Sequence, residues 1–185
     1  MKKQLFEPLD YGILVEDTEI IGELLKGQVV TVPTETVEGY AVALESEEGI
    51  RKLMQMKDRD FNSGKVFTLV PESKGAISKY VVVPKAAEVL INNYIPGELT
   101  LILPKNPDFY HFYYDHFKTV GIRIPDYDLF KTIGEVVGPV ILTSANPRGG
   151  TPKSITGHKP STIVDFSGDT PKIIRQGDLK LSEIN

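Results

Sequence analysis

Two polar segments stand directly after apolar stretches, where their side chains could reach a ligand together. Pro33-Thr34-Glu35-Thr36 follows the apolar stretch at 28–32, and Ser144-Ala145-Asn146 follows the one at 140–143. Hydroxyl and amide groups at the carboxyl ends of strands are typical of ligand sites in open α/β sheets. Taken alone, the first segment is more typical of an ordinary strand-ending turn capped by a threonine, and the second is equally compatible with a polar turn.

Several cations stand where a structural role is not obvious. Lys57-Asp58-Arg59 follows a helical pattern and Lys65 precedes a strand, so these cations could hold a triphosphate, Arg by its planar fork and Lys as a point charge. A solvated helix end is the more common role of such a charged run. Arg123 interrupts the apolar stretch 120–124, where it must find a partner or lie on the solvent face of a half-exposed strand.

Composition sets limits on the class of protein. The chain has 185 residues, 41% hydrophobic, and no cysteine, which excludes thiol catalysis and thiolate metal sites. The length favours a single domain over residues 1–185. The sequence shows no apolar run long enough for a membrane span or signal peptide, which predicts a cytoplasmic protein without membrane contact. A formal net charge of −4 argues against coating nucleic acid through bulk charge.

The elements that must position these residues follow from periodicity and from Gly and Pro punctuation. We predict helices at 17–27, 46–56, 85–93 and 126–137, and strands at 28–32, 39–44, 66–70, 99–103, 120–124, 140–143, 162–166 and 172–175, with loops at 104–118 and 147–160. The irregular alternation favours an α/β fold with a mixed, twisted sheet over a parallel Rossmann order. The motifs GxGxxG and GxxxxGK[ST] are absent.

Local signals add detail to these helices. Asp17 or Thr18 should cap the first helix and Gly27 should end it, while Asp126 should cap the last. In the second helix, Met56 joins Ile50, Leu53 and Met54 as residues expected to pack in the core.

Read together and in order, the polar and charged segments resemble the YrdC/YciO family. The matching blocks cover nearly the whole chain: Pro33 to Thr36, Lys57-Asp58-Arg59, Lys65, Pro96-Gly97-Glu98-Leu99-Thr100, Arg123-Ile124-Pro125, Ser144-Ala145-Asn146, Ser161-Thr162-Ile163-Val164-Asp165 and Arg175-Gln176-Gly177. The resemblance implies a YrdC-like twisted mixed sheet with flanking helices around a large, positively charged cavity.

The resemblance also implies an activity and its residues. The activity is synthesis of threonylcarbamoyl-AMP and pyrophosphate from L-threonine, bicarbonate or CO2, and ATP with Mg²⁺. The implied threonine-binding residues are Thr34, Arg123, Thr143 (through its backbone) and Ser161, and the implied ATP-binding residues are Lys57, Arg59, Lys65, Thr119, Ser144, Asn146 and Arg175. No covalent nucleophile is implied, and Lys57 and Arg59 would act by positioning. The implied partners are tRNA or double-stranded RNA and the proteins that transfer the threonylcarbamoyl group.

The chain departs from the family pattern at a few positions, which leaves alternatives open. Glu38 stands in place of a tyrosine and would hold a metal, bind a substrate ammonium or face solvent; Glu98 stands in place of a proline. Val70 stands where synthases often carry histidine, which brings the segment 67–70 closer to the YciO branch. The loop between Asn146 and Ser161 is short. The alternative is therefore a YciO-like RNA- or nucleotide-binding protein with weak or no synthase activity.

Two further alternatives are weaker. A plain RNA-binding module predicts RNA affinity without ATP turnover. A carbamoyl-adenylate site of the sort embedded in hydrogenase maturation factors belongs to longer chains with zinc-finger cysteines, and this chain has no cysteine.

Overall fold

Thirteen helices and strands alternate irregularly along the described part of the chain. The computed structural model describes residues 15–62, 64–147, 149–154 and 157–181. The helices are α1 (Val15–Leu25), α2 (Glu47–Met56), α3 (Ile77–Tyr80), α4 (Lys85–Tyr94) and α5 (Asp128–Val136). The strands are β1 (Val30–Val32), β2 (Gly39–Ala43), β3 (Thr68–Val70), β4 (Leu99–Pro104), β5 (Thr119–Ile122), β6 (Val140–Ser144), β7 (Thr162–Asp165) and β8 (Lys172–Arg175). Short 3₁₀ turns at Lys74–Ala76 and Tyr114–His116 complete the described secondary structure.

All eight strands join one mixed sheet in the order β1-β2-β6-β3-β5-β4-β7-β8. Pairing is antiparallel except between β3 and β5 and between β4 and β7. The predicted α/β class with a mixed sheet is therefore confirmed. Four of the seven neighbouring pairs, β2–β6, β6–β3, β3–β5 and β4–β7, join strands that are not consecutive in the chain. Residues distant in sequence are therefore brought to the same end of the sheet.

Alternate residues of the central strands pack on opposite faces of the sheet, as the pleat requires. In β6, Ile141 belongs to the larger hydrophobic cluster with α2, α4 and the aromatic loop before β5, whereas Val140 and Leu142 belong to the smaller cluster with α1 and α5. The sheet is thus covered on both faces, and polar groups that bind a ligand must lie at its ends.

Two helix boundaries follow capping rules, and two others correct the prediction. Gly27 (φ 74°) ends α1, as predicted, and the Ser46 hydroxyl accepts a hydrogen bond from the Gly49 N–H at the start of α2. Asp17 and Thr18 do not cap α1, since the helix already begins at Val15. Asp126 does not cap α5 either: Tyr127 occupies the cap position without a side-chain hydrogen bond.

The position of Met56 also differs from the prediction. It is 43% exposed, whereas Ile50, Leu53 and Met54 are buried as predicted. Met56 lies two residues beyond Met54, so the turn of the helix places it on the opposite face.

The membrane character and the domain extent concern the whole chain. None of the described helices combines the length and the apolar character needed to cross a bilayer. Residues 1–14 and 182–185 lie outside the described residues. The prediction of a single domain over 1–185 and the prediction that the N-terminal segment is not a signal peptide therefore stay predictions.

Candidate functional site

A cavity of about 180 Å³ opens at one end of the sheet. Its walls come from segments far apart in sequence: the turn after β1, the start of β2, β3, the end of β6, and the approach to β7. The lining residues are Thr34, Val37, Glu38, Gly39, Arg59, Val66, Phe67, Thr68, Thr100, Arg123, Leu142, Thr143, Ser144, Pro160, Ser161, Ile163 and Arg175. Hydroxyl groups and arginines dominate the polar part of this lining.

The Thr34 hydroxyl organises the turn after β1. It accepts hydrogen bonds from the backbone N–H groups of Thr36 and Val37, both at 3.2 Å, and donates to the Val37 carbonyl at 2.7 Å. Thr34 is buried and also lines the cavity. The two interpretations of this segment are therefore compatible: it is a threonine-capped turn, and the turn faces the cavity.

The same turn after β1 holds the side chain of Arg123 in place. Its Nη2 donates to Glu35 Oε1 at 2.9 Å and to Thr36 Oγ1 at 2.8 Å, and its Nε donates to the Gly97 carbonyl at 3.3 Å. Arg123 follows β5 directly and is buried, so the alternative of a solvent-facing arginine is wrong. Buried ion pairs of this kind fix an arginine in one orientation.

A second arginine reaches the cavity from the edge strand β8. Arg175 Nε donates to the Ser161 carbonyl at 2.8 Å, and its Nη2 donates to Ser161 Oγ at 3.0 Å. The hydroxyls of Ser161 and Thr100 share a hydrogen bond of 2.8 Å. Burial, followed by the nearby charge of Arg123, lowers the pKa of the Arg175 guanidinium. Two arginines that influence each other in one cavity make a site suited to an anion.

Lys57 is buried rather than solvated. It is 3% exposed at the C-terminal cap of α2, and its Nζ donates to the Ser144 carbonyl at 2.8 Å and to the Asn146 carbonyl. Burial, followed by the charge of Arg59, lowers the pKa of Lys57. The lysine therefore holds the polar segment after β6 in place without itself lining the cavity.

Arg59 lines the cavity with its guanidinium over an aromatic ring. Its Cζ lies 4.8 Å from the centre of the Phe67 ring, a cation–π distance. Phe67 stacks in turn on Tyr113, and the Phe67 N–H donates to the Tyr113 hydroxyl at 3.0 Å. Burial raises the pKa of Tyr113 to about 12. The ring therefore holds the charged end of Arg59 at the cavity.

Glu38 is the carboxylate among the described residues that line the cavity. Its backbone N–H donates to the Lys153 carbonyl at 3.0 Å, and its Oε2 lies 3.3 Å from Lys153 Nζ. Nearby, the Ser154 hydroxyl donates to the Thr36 carbonyl at 3.3 Å. The segment 149–154 thus lies across the turn after β1 and brings an exposed lysine to Glu38.

The structure brings most of the predicted site residues to this cavity. All four implied threonine-binding residues line it, as do Arg59, Ser144 and Arg175 of the ATP set. Lys57 and Asn146 lie immediately behind Ser144, whereas Lys65 is exposed and Thr119 stands at the start of β5, and neither lines the cavity. The functional roles of all these residues stay predictions.

Sequence reasoning missed two residues of the site. Glu35 and Thr100 both lie in quoted motifs but received no role, because the partners that reveal them, Arg123 and Ser161, are distant in sequence. The need of Arg123 for a partner was the available signal for Glu35. Three arginines and one glutamate line the cavity, and its net positive charge stays a prediction.

The fold and the site define an α/β protein with an open mixed sheet and an arginine-containing cavity at its end. A family model described as "Telomere recombination" and named for Sua5, YciO and YrdC matches residues 23–156. The chain therefore belongs to the Sua5/YciO/YrdC family, which confirms the resemblance.

Individual relatives show how far the similarity extends. A putative threonylcarbamoyl-AMP synthase of Methanocaldococcus jannaschii is 28% identical, over 88% of this chain and 86% of that protein. The Escherichia coli protein YciO is 27% identical, over 82% of this chain and 84% of that protein. The crystal structure of Pyrococcus abyssi Sua5 complexed with L-threonine superposes with a TM-score of 0.76 at 23% identity, covering 89% of this chain and 54% of that one.

Proposed function

We propose that the protein is a threonylcarbamoyl-AMP synthase. It would form threonylcarbamoyl-adenylate and pyrophosphate from L-threonine, bicarbonate or CO2, and ATP, for the threonylcarbamoyladenosine modification of tRNA. The observation that carries the proposal is the gathering of Arg59, Arg123 and Arg175 with several hydroxyls in one cavity. Relatives named threonylcarbamoyl-AMP synthase support a transferase, and the L-threonine complex of a structural neighbour supports threonine as a substrate.

In this proposal Arg123 receives the threonine carboxylate. Its Nε and Nη2 atoms donate to the turn after β1 and to Gly97, so the guanidinium is already oriented before the amino acid arrives. The hydroxyls of Thr34 and Ser161 and the backbone of Thr143 would contact the remaining polar groups of threonine. A preorganised site of this kind lowers the entropic cost of aligning two substrates.

ATP would lie against the remaining cations. Arg59, held over the Phe67 ring, and Arg175 would contact phosphate oxygens, and Ser144 would bind the nucleotide beside them. Lys57 and Asn146 would position that segment, and we expect Lys65 and Thr119 to contribute from outside the described cavity. Mg²⁺ would enter with ATP; Glu38 offers a hard oxygen ligand suited to that ion or its water, and the ion would reduce the charge repulsion between the phosphates.

The chemistry needs no nucleophilic side chain. The threonine nitrogen attacks the carbon of CO2, or of bicarbonate with loss of water, and forms a carbamate. A carbamate oxygen then attacks the α-phosphorus of ATP, the bond to the bridging oxygen breaks, and pyrophosphate leaves. Both reactants are anions, so the principal task of the cavity is to hold them together, which arginines perform by charge and by geometry.

Threonine-dependent release of pyrophosphate tests this proposal. Purified protein should release pyrophosphate from ATP only when both threonine and bicarbonate are present. Serine should be a poorer substrate, because a pocket that fits the threonine methyl group loses about 1–3 kcal/mol without it. Pyrophosphate release that is independent of threonine would count against the proposal.

The alternative is a YciO-like RNA- or nucleotide-binding protein with weak or no synthase activity. The specific observation in its favour is the match to Escherichia coli YciO, which extends over most of both chains. ATP or RNA binding without pyrophosphate release, under conditions in which a known synthase is active, would select this alternative. Cytoplasmic location and contact with the proteins that transfer the threonylcarbamoyl group stay predictions in either case.

A further inference from the structure

A group of three metal-ligating side chains lies outside the cavity. Glu98, His158 and Asp178 each offer one ligand atom, and these atoms all lie within 4.8 Å of one another. His158 Nδ1 is 2.8 Å from Glu98 Oε1 and 3.7 Å from Asp178 Oδ2. None of the three lines the cavity, and the proposed reaction gives them no role.

The donor set indicates which ion it suits. One imidazole nitrogen and two carboxylate oxygens from separate segments are the ligands of a borderline divalent ion such as Zn²⁺, rather than of Mg²⁺, which prefers oxygen alone. A cavity of about 310 Å³, lined in part by Glu98 and Asp178, borders the cluster. Water can therefore reach the positions that three protein ligands leave open.

The backbone segments that carry Glu98 and Asp178 are held together by hydrogen bonds that do not involve the ligand side chains. The buried Thr162 is the centre: its N–H donates to the Glu98 carbonyl at 2.9 Å, its hydroxyl donates to the Leu179 carbonyl at 2.8 Å, and it accepts from the Gly177 N–H at 2.9 Å. The segments on either side of Glu98 and Asp178 are thus fixed before any ion binds.

Gly177 shows how closely these segments approach. A Cβ atom at this position would lie 2.4 Å from the Pro160 carbonyl oxygen and 2.9 Å from the Thr162 nitrogen, so only glycine fits. The Lys159 N–H donates to Asp178 Oδ2 at 2.9 Å, which orients that carboxylate beside His158. A site with fixed ligands binds a metal with little ordering cost.

We propose that Glu98, His158 and Asp178 form a binding site for one divalent transition-metal ion of the Zn²⁺ class. The ion joins the segment 157–160 to the loop before β4 and to the segment after β8. Pro160, the last residue of this segment, and Ser161, which follows it, line the cavity, so the ion stabilises one cavity wall. The proposal is independent of the reaction proposed above.

Zinc titration of the tag-free, full-length protein tests this site. With no cysteine and three histidines in the chain, competing sites are few. Calorimetry should give one Zn²⁺ per chain, Co²⁺ should produce visible absorption of a four- or five-coordinate site, and Zn²⁺ should raise Tm in a concentration-dependent way.

Variants separate the site from general surface binding. His158→Ala, and separately Asp178→Asn, should weaken Zn²⁺ binding about tenfold or more and shift the rise in Tm to Zn²⁺ concentrations higher by the same factor. His116→Ala is the matched control, because His116 is also exposed but stacks on Phe61 instead of facing carboxylates, and it should bind Zn²⁺ as the original protein does. Circular dichroism confirms that each variant is folded.

Two results would overturn the site. The first is absence of saturable Zn²⁺ and Co²⁺ binding, which would leave His158 as an ion-pair partner of the two carboxylates only. The second is equal Zn²⁺ affinity of the His158→Ala and His116→Ala variants.

Discussion

The buried pair of Arg123 and Glu35 allows a quantitative test of how the cavity is built. The two side chains are 7% and 18% exposed, and their charged atoms lie 2.9 Å apart. Replacing Arg123 with Met leaves the Glu35 carboxylate without this cation and also removes the hydrogen bond to Thr36. Breaking a buried pair from one side typically costs 3–5 kcal/mol. Because Glu35 is partly exposed, we expect about 2–4 kcal/mol here.

The partner substitution should cost less. Glu35→Gln keeps an oxygen that accepts from Arg123 but removes the charge, so we expect a loss of about 1–2 kcal/mol. The double variant should be less destabilised than the sum of the two, since neither charge is then left buried alone. We expect a coupling energy of about 1–3 kcal/mol.

Urea unfolding of the four proteins measures this coupling, and the chain supplies a matched control. Arg51 and Glu47 form an ion pair of 2.6 Å with exposures of 53% and 57%. The same substitutions there should give a coupling of about 0.5 kcal/mol or less, as for exposed pairs one turn apart. Equal coupling energies for the two pairs would refute the reasoning that burial makes the Arg123 pair important.

Three further predictions follow from the same contacts. Lys57→Met should cost about 1.5–3 kcal/mol in urea unfolding, since two carbonyls lose a charged donor, and should reduce pyrophosphate release; the exposed Lys52→Met is its control, and equal losses would refute the role of Lys57. Arg59→Lys should fold normally but lose pyrophosphate release, because an ammonium cannot reproduce the forked phosphate contact proposed for Arg59; full activity would refute it. The Tyr113 pKa is raised to about 12 from an ordinary value of about 10, so its contribution to stability is complete below pH 10 and is lost as the pH rises towards 12. Tyr113→Phe should therefore lose less stability over that interval than the original protein, and an unchanged pH dependence would contradict the shift.

Local sequence signals predicted the elements of this fold well. Ser46 at the start of α2 and Gly27 at the end of α1 mark boundaries through their own chemistry. Cap signals failed at two other boundaries: α1 begins at Val15, before the cap candidates Asp17 and Thr18, and α5 begins after Tyr127, whose side chain makes no cap hydrogen bond. A capping residue type raises the preference for a helix start nearby, but it does not fix the first helical residue to within one or two positions.

The site was predictable as a set of residues but not as a set of contacts. Arg123 was recognised as a cation in an apolar stretch, yet its partner Glu35 lies 88 positions away. The sequence suggests a phosphate contact for Lys57, and its contacts with the Ser144 and Asn146 carbonyls could not be predicted. These contacts arise because the sheet order places the end of β6 next to α2. Such pairings depend on which strands become neighbours, and local periodicity carries no information about strand order.

Tracing bicarbonate carbon into the product tests the central claim most directly. The protein is incubated with ATP, Mg²⁺, L-threonine and ¹³C-labelled bicarbonate, and the nucleotide products are separated and analysed by mass spectrometry. A threonylcarbamoyl-adenylate that carries the heavy carbon and accumulates together with pyrophosphate is the result we predict, and Arg123→Met should abolish it. ATP that remains intact, or AMP that appears without the labelled adduct in the presence of all substrates, would contradict the proposed synthase.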